Sequence, residues 1–254
     1  MFPEERRREI VARLRREGRC LVADLARHLE VSEVTIRQDL DALEREGQLR
    51  RTHGGAILDQ KIGLERPFQI EESERSAEKE RIAAAATELV SPGDTLILDV
   101  GTTVTAAARK LVAQKTRATV FTNGLNIAAI LEADPEITTV VTGGTLRPKQ
   151  HSLVNPFAGL VLPRVHADLA FIGTNGIHVG HGLTNVNAAE AEIKALFVRA
   201  ARRRVVLADS TKVGKIALAK FAEVSEVDLL ITDEGADSRE VDALREAGLE
   251  VRLV

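Results

Sequence analysis

Residues 22–45 have the sequence VADLARHLEVSEVTIRQDLDALER, in which two helical segments are separated by a short connection. Apolar residues recur at helical spacing in each segment. They are Val22, Leu25, Ala26 and Leu29 in the first, and Ile36, Leu40 and Leu43 in the second. Ser32 stands where an N-cap residue is expected. With an earlier helix over Ile10, Val11 and Leu14, the pattern is typical of a helix-turn-helix, whose second helix enters the DNA major groove, and equally of a plain three-helix bundle.

The outer side of the second segment carries polar side chains that suit DNA. Arg37 and Gln38 can bind guanine and adenine edges, and the N-terminus of the helix favours phosphate. Residues 47–56, GQLRRTHGGA, predict a small hairpin wing beside the DNA backbone. We expect Asp39 to orient Arg37 or Arg50. The candidate DNA-binding residues are Ser32, Thr35, Arg37, Gln38, Arg45, Arg50, Arg51 and His53.

Whole-chain composition favours a small-molecule protein, because 35 basic against 38 acidic residues give 254 residues a net charge of −3. With seven Phe and neither Trp nor Tyr, the chain lacks stacking platforms for single-stranded nucleic acid. The distribution changes this interpretation, because the first lysine is Lys61 and every earlier cation is an arginine. Arginine binds phosphate oxygens and guanine edges better than lysine does.

One cysteine, Cys20, excludes an intrachain disulfide and suits a reducing compartment. We expect it to fill the core between the first two helices. The N-terminus has no apolar signal segment, and no apolar run approaches the ~18 residues of a membrane span. The sequence therefore predicts a cytoplasmic protein with no membrane association.

After residue 60 the chain predicts a linker over residues 59–75 between domains at 1–58 and 76–254. A helix is expected through Ile82 to Leu89, and apolar strands then alternate with helices. The predicted strands are 95–99, 119–122, 138–142, 168–172, 205–208, 229–232 and 250–253, and the main predicted helices are 103–112, 125–132, 188–201 and 238–247. This alternation predicts an α/β domain, Rossmann-like, with a mostly parallel sheet.

Three predicted strands end in loops rich in Gly, Thr and Asn: 99–103 (DVGTT), 122–124 (TNG) and 142–145 (TGGT). Ligands of parallel sheets bind beyond the carboxyl ends of strands, where backbone N–H groups can hold a phosphate. A single such loop is explained by the turn itself, but three in series, with Lys212 after a fourth strand, indicate an anion site. Glu190 and Lys194 have i, i+4 spacing, which by itself favours a surface pair.

The histidines at 151, 166, 178 and 181 lack metal-ligand spacing, so we expect neither a metal nor a cofactor. His178 and His181 are expected to be polar groups of a loop near a glycine-rich turn.

Residues 31–56, VSEVTIRQDLDALEREGQLRRTHGGA, resemble the winged helix-turn-helix of the DeoR family of bacterial transcriptional regulators. The strings ILDVGTT, VFTNGLNIA, VVTGGTLR, DLAFIGTNGI, GLTNVNAAEAEIK and VVLADSTKVGK resemble that family's effector domain, which is similar in fold to ribose-5-phosphate isomerase and glucosamine-6-phosphate deaminase. The resemblance implies a phosphorylated sugar effector, with Lys212 as the phosphate counter-charge. The ligand set that it implies is Asp99, Gly101, Thr102, Thr103, Thr122, Asn123, Gly143, Gly144, Gly173, Asn175, Glu190, Lys194 and Lys212.

Two positions depart from the related patterns. Asn155 stands where the family usually has glycine, and asparagine tolerates a positive φ there. Residues 173–176 (GTNG) lack the acids that the isomerases carry, and an isomerase needs a base near the substrate proton. We therefore expect no enzyme but a homo-oligomeric repressor of sugar metabolism that binds double-stranded operator DNA and is released by a sugar phosphate. The alternative is a sugar-phosphate isomerase or deaminase with an appended DNA-binding module.

Overall fold

The computed structural model describes residues 2–17, 19–45, 49–52, 54–57 and 67–254. The chain divides into two compact units, Met1–Pro67 and Phe68–Val254. The division falls inside the segment 59–75 that the sequence assigns to a linker. Each unit has a hydrophobic core of its own.

The described residues of the first unit form three helices and a small sheet. The helices are α1 (Pro3–Glu17), α2 (Val22–His28) and α3 (Glu33–Arg45), and the strands are β1 (Arg19–Leu21), β2 (Arg50–Thr52) and β3 (Gly55–Ile57). The apolar faces of the three helices pack together in one hydrophobic core, which contains Ile10, Leu14, Leu25, Ile36 and Leu40. The three predicted helices are confirmed.

The predicted wing is a hairpin of β2 and β3, and it gains a third strand that the sequence did not indicate. β1 pairs with β3, so the strand order is β1-β3-β2 and all pairs are antiparallel. Gly55 is required at this crossing, because a Cβ there would lie 1.9 Å from the carbonyl oxygen of Cys20. Cys20 is buried in the core as expected, and burial raises the pKa of its thiol.

The second unit contains a seven-stranded parallel sheet in which all seven predicted strands are confirmed. The strands are β4 (Thr95–Leu98), β5 (Ala118–Thr122), β6 (Ile137–Val141), β9 (Ala167–Gly173), β12 (Ala201–Leu207), β14 (Leu229–Thr232) and β15 (Glu250–Leu253). Their spatial order in the sheet is β15-β14-β12-β9-β4-β5-β6.

Helices cover both faces of this sheet, as a parallel sheet requires. The helices are α4 (Phe68–Ser73), α5 (Ser76–Thr87), α6 (Thr102–Gln114), α7 (Leu125–Leu131), α8 (Ala158–Val161), α9 (Ala188–Ala200) and α10 (Ser238–Glu246). One core layer packs under α9 and α10, and the other under α5, α6 and α7.

Two small antiparallel sheets, which the sequence did not predict, stand beside the large one. A hairpin joins β7 (Thr145–Arg147) to β8 (Ser152–Val154). The other sheet has the order β10-β11-β13 and consists of β10 (Gly176–His178), β11 (Gly182–Asn185) and β13 (Ala219–Ala222).

The strand order reverses between β4 and β9. From β4 the chain builds outward through β5 to β6, whereas β9 starts the other half through β12 and β14 to β15. In open parallel sheets this switch point leaves a crevice beyond the carboxyl ends of the strands. Asp99 follows β4 there, and Gly173 ends β9.

Candidate DNA-binding surface and effector site

The start of α3 is fixed by the predicted cap. The Ser32 hydroxyl accepts a hydrogen bond from the backbone N–H of Thr35 at 3.1 Å, and the two hydroxyls are 2.8 Å apart. Arg37, Gln38 and Arg45 are exposed, on the side opposite the buried Ile36, Leu40 and Leu43. A row of side chains able to contact base edges is therefore presented outward, as the spacing predicted.

Asp39 does not orient Arg37, so that part of the expectation is wrong. Its carboxylate is 2% exposed and accepts hydrogen bonds from Arg6 Nε at 2.5 Å and Arg7 Nε at 3.0 Å, both on α1. The reason is its place on the helix: Asp39 lies next to Leu40 on the inner face, where α1 packs. Arg37 pairs instead with Glu33, one turn earlier, at 2.5 Å.

Arg51 joins the wing to α3. Its Nη1 contacts the Asp41 carboxylate and lies 3.2 Å from the carbonyl oxygen of Arg37, while its backbone N–H donates to Glu44 Oε1 at 2.7 Å. Among the other predicted contacts, Arg50 is described only as a residue of β2, and His53 lies outside the described residues.

The predicted effector residues gather at the carboxyl edge of the parallel sheet. At its centre, Asp99 Oδ2 accepts from the backbone N–H of Gly173 at 3.0 Å and from Lys194 Nζ. Lys194 Nζ also donates to the carbonyl oxygen of Gly173 at 3.0 Å and lies 5.8 Å from the centre of the Phe221 ring. This buried ion pair closes the switch point between β4 and β9.

Asp99 has an unusual electrostatic environment. It is completely buried, and its Oδ1 makes no hydrogen bond to any residue that the structure describes. Burial raises the pKa of this carboxyl to about 6, although the charge of Lys194 opposes that shift; Glu190 adds to it. A carboxyl group of this kind changes its charge near neutral pH and could respond to a polar ligand.

Glu190 and Lys194 do not form the surface pair that their spacing favours. Both are buried, and each has its own distant partners. Glu190 Oε1 accepts from Ser152 Oγ at 2.5 Å and from Arg147 Nη1, and its Oε2 accepts from Asn185 Nδ2 at 3.1 Å. The sequence analysis missed these three partners. The motif strings contain Arg147 and Asn185, but no local spacing rule relates them to Glu190.

Asn123 connects this network to Asp99. Its Oδ1 accepts from the backbone N–H of Val100 at 2.9 Å, and its Nδ2 lies 3.3 Å from the carbonyl oxygen of Leu153. Residues 99–100, Asn123, β8 and the first half of α9 therefore form a closed ring of contacts around the candidate site.

The other predicted ligand residues differ in how available their polar groups are. Thr122 is fully buried, and its hydroxyl accepts from the N–H of Gly124 at 3.0 Å. Asn175 uses its Oδ1 to accept from the N–H of Val186 at 3.0 Å. Gly101 precedes α6, Thr102 opens it half-buried, and Thr103 is buried.

The glycines after β6 allow a close approach of the chain. Gly143 and Gly144 have φ values of +70° and +130°. A Cβ on Gly144 would lie 2.0 Å from the carbonyl oxygen of Val154, so only glycine fits against β8. The two glycines thus allow the chain to pack closely against the β7–β8 hairpin, whose Arg147 and Ser152 bind Glu190.

Lys212 ends a short 3₁₀ turn, Ser210–Lys212, after β12. It is half-buried, and within the described parts of the chain its ammonium has no hydrogen bond or ion pair. A half-buried cation without a partner at the edge of a crevice is suited to an anionic group of a ligand.

Asn155 differs from its expected conformation. It does not adopt a positive φ; it precedes Pro156 across a cis peptide bond, and its side chain donates to Glu192 Oε2. The idea that asparagine replaces glycine in a left-handed turn is therefore wrong.

Two further observations concern metal binding and membrane spans. The described residues contain no cluster of three or more His, Cys, Asp or Glu side chains able to hold a metal ion. Among the same residues we find no helix with the length and apolar character that a bilayer span requires.

Two family models match the chain. Residues 6–61 match the DeoR-like helix-turn-helix domain, and residues 74–234 match the DeoR C-terminal sensor domain. The chain is 36% identical to the HTH-type transcriptional regulator GolR of Listeria innocua, over 100% of this chain and 99% of that protein. It is 37% identical to the putative aga operon transcriptional repressor of Escherichia coli O157:H7 (98% and 93%) and 34% identical to the HTH-type transcriptional repressor GlcR of Bacillus subtilis (99% and 96%).

Solved structures give weaker similarities. The ribose 5-phosphate isomerase A of Methanocaldococcus jannaschii aligns with a TM-score of 0.41 and 17% identity over 55% of each chain. The probable sor operon regulator of Shigella flexneri aligns with a TM-score of 0.43 and 13% identity, over 68% of this chain and 89% of that one.

Proposed function

The chain belongs to the DeoR family of DNA-binding transcriptional regulators, not to a family of enzymes, and we propose that it represses genes of sugar metabolism and leaves its operator when a phosphorylated sugar binds. Relatives named as repressors, one of them of the aga operon, support the direction of control. We place this regulator in the cytoplasm, where its DNA is, and infer a homo-oligomer on a repeated or palindromic operator.

The observation that carries the effector proposal is Lys212, a half-buried cation with no hydrogen bond or ion pair among the described residues, at the carboxyl edge of the sheet that also holds the ring of polar contacts. Lys212 follows β12 and α6 follows β4, so they lie on the two sides of β9. A phosphate would bind Lys212 and the backbone N–H groups at the start of α6. The hydroxyl groups of the sugar would then reach the ring that contains Asp99 and Glu190.

In the first unit, we propose that Arg37 and Gln38 contact bases, while Ser32, Thr35, Arg45, Arg50, Arg51 and His53 contact phosphates and fix the orientation of α3 on the duplex. Release from the operator requires that the effector bind the DNA-free arrangement more tightly than the DNA-bound one. By linkage, an effector that binds this arrangement tenfold more tightly lowers the affinity for DNA tenfold.

A thermal-shift screen tests the effector class. The probes are inorganic phosphate, ribose 5-phosphate, glucose 6-phosphate, fructose 6-phosphate and glucosamine 6-phosphate, each phosphorylated sugar beside its unphosphorylated counterpart. A probe at 100 times its Kd stabilises the folded chain by about 2.7 kcal/mol. We expect at least one phosphorylated sugar to raise the Tm, and the Lys212→Ala variant to lose this response.

The control is Lys220→Ala, because Lys220 is exposed and pairs locally with Glu223. It should keep the full response. Equal Tm shifts in Lys212→Ala and wild type, or equal shifts with unphosphorylated sugars, would contradict the proposed phosphate contact. Turnover of any probe that Glu190→Gln abolishes would favour the isomerase or deaminase alternative.

A further inference from the structure

The first helix of the second unit, α4, is held at both ends by loops of the candidate effector site. One loop is the β7–β8 hairpin, which binds Glu190, and the other is the Ser210–Lys212 turn. α4 begins at Phe68, the residue at which the second unit begins. Its position therefore makes it a candidate for carrying a change from the site toward the DNA-binding unit.

The hairpin holds the N-terminal end of α4. The backbone N–H of Phe68 donates to the carbonyl oxygen of Lys149 at 3.0 Å. The buried Phe68 ring packs edge-on against the His151 ring, with centres 5.4 Å apart and planes at 82°. Gln69 Nε2 lies 3.2 Å from His151 Nε2. Three separate contacts thus join two residues of α4 to the tip of the hairpin.

The same hairpin is fixed to the site. Arg147 and Ser152, which flank its tip, both bind Glu190, and the carbonyl oxygen of His151 accepts from the N–H of Leu125 at 2.9 Å. His151 has a φ of +57°, a left-handed conformation that non-glycine residues adopt rarely and that surrounding contacts must hold. A displacement at Glu190 therefore reaches the Phe68 contact through a span of only a few residues.

The second loop holds the other end of α4. Arg75, between α4 and α5, has a φ of +51°, and its Nη1 lies 3.2 Å from Ser210 Oγ and 3.7 Å from Asp233 Oδ2. The buried Lys79 donates to the backbone carbonyl oxygens of Glu74, at 2.8 Å, and Glu71. The turn that begins at Ser210 ends at Lys212, so the proposed phosphate contact is two residues from the residue that binds Arg75.

We propose that α4 transmits effector binding: occupation of the site shifts the Glu190 network or the Ser210–Lys212 turn, and each shift acts on one end of α4. This inference rests on the proposed effector function and adds the route by which that site acts. It requires α4 to have two arrangements of different stability that the site can bias.

Hydrogen–deuterium exchange on the ligand-free full-length chain tests the contact route without any effector. Arg147→Met removes the ion pair that links the hairpin to Glu190 and leaves the hydrogen bond from Ser152. The matched control is Arg204→Met, because Arg204 also forms an ion pair with a carboxylate, that of Asp228 (2.7 and 2.8 Å), at the opposite end of the strands. We expect backbone amides of residues 69–73 to exchange about 10-fold faster in Arg147→Met and at the wild-type rate in Arg204→Met.

Unchanged exchange of α4 in Arg147→Met, or equal acceleration in both variants, would overturn the proposal. If Arg147→Met does not fold, Ser152→Ala, which deletes a single hydrogen bond to Glu190, replaces it with the same expected direction.

A second measurement tests the consequence for DNA. The variant is His151→Ala, and the binding partner is a labelled DNA fragment from upstream of the chain's own coding region. We expect wild-type affinity for this DNA and an unchanged Tm response to ribose 5-phosphate or glucose 6-phosphate, whichever binds wild type. The decrease in DNA affinity that this probe causes should become about 10-fold smaller.

An undiminished response of His151→Ala would contradict a route through α4. A wild-type chain whose Tm responds to neither probe would instead contradict these sugar phosphates as effectors, and the exchange comparison then decides the role of α4 alone.

Discussion

At the residue scale, the most informative side chains are acids with unexpected partners. Asp39, Asp99 and Glu190 are all buried, and each binds a cation from a distant part of its unit. Buried carboxylates of this kind contribute to stability only while their partners remain, because an uncompensated buried charge is costly.

Asp39 gives the first prediction. Removing one partner of a buried ion pair costs about 3 kcal/mol, so Asp39→Ala should release α3 from α1. We expect amide protection in both helices of the full-length chain to fall about 100-fold in hydrogen exchange. The control, Asp41→Ala, removes an exposed partner of Arg51. It should change the free energy of amide opening by less than ~1 kcal/mol. Similar effects of both substitutions would contradict a larger contribution to stability from the contact of Asp39 with α1.

Asp99 gives a prediction about pH. Burial raises its pKa from 3.8 to about 6, with Lys194 opposing and Glu190 assisting the shift. Between these values the folded chain binds a proton that the unfolded chain has released. The free energy of unfolding therefore decreases as pH rises through this window, by about 1.4 kcal/mol for each pKa unit. Denaturant titrations should show wild type losing stability relative to Asp99→Asn from pH 4 to 6.

Asp228 provides the control of opposite sign. Burial alone would raise its pKa, but the hydrogen bonds and charge of Arg204 outweigh it and lower the pKa below 3.8. Its contribution to stability is present above the unfolded pKa and is lost as pH falls through the folded one. The free energy of unfolding of wild type should therefore increase relative to that of Asp228→Asn as pH rises through the acidic range. If the difference in the free energy of unfolding between wild type and Asp99→Asn does not change with pH, Asp99 does not bind a proton in the folded chain in this range.

At the element scale, the sequence predicted the large structures well and the small ones poorly. The inner strands β4, β9 and β14 contain runs of buried apolar residues, which stand out between helices, whereas the edge strands β6 and β15 are partly exposed. β7, β8 and β10 have three residues each, and β11 and β13 have four. Length alone is not the reason, because β4 and β14 also have four residues. Those two strands are apolar runs (TLIL and LLIT), whereas the short strands TLR, GIH, GLTN and AKFA mix apolar residues with glycine or polar ones.

For the candidate site, the sequence predicted the strand-end loops but not the long-range partners of the buried charges. Strand-end loops were recognisable because glycine and threonine follow apolar runs, and the parallel sheet brings those ends to one edge. The partners of Glu190 and Lys194 were not, because Arg147 is 43 residues from Glu190 and Asp99 is 95 residues from Lys194 along the chain. Helical spacing alone cannot distinguish such buried pairs from a surface pair.

The β7–β8 hairpin gives a prediction of its own. Gly144→Ala would place a Cβ 2.0 Å from the Val154 carbonyl oxygen on a backbone with φ of +130°. We expect the free energy of unfolding, measured in denaturant, to fall by about 2 kcal/mol or more, since β8 must move. Gly159→Ala is the control, because a Cβ there meets its nearest atom at 4.0 Å. It should be neutral or stabilising by up to ~1 kcal/mol; equal losses would rule out the close approach.

At the scale of the whole molecule, the chain consists of two units with separate cores. The net charge of −3 therefore averages two different parts, and all cations before residue 61 are arginines. The placement of charge, not its sum, indicated DNA binding.

Separate cores predict separate unfolding. Differential scanning calorimetry of the full chain should show two transitions, because cooperative unfolding follows the packing of a single core. The fragment 68–254 serves as the control, with one transition at the temperature of its counterpart in the full chain. A single two-state transition of the full chain would contradict independent units.

The same division has an evolutionary consequence. A unit that encloses its own core can be inherited and exchanged as a module, so operator choice and metabolite choice can change independently along a lineage. Hybrids that join the first 67 residues of this chain to the sensor of a relative should fold. Such hybrids would place one operator under the control of a different metabolite.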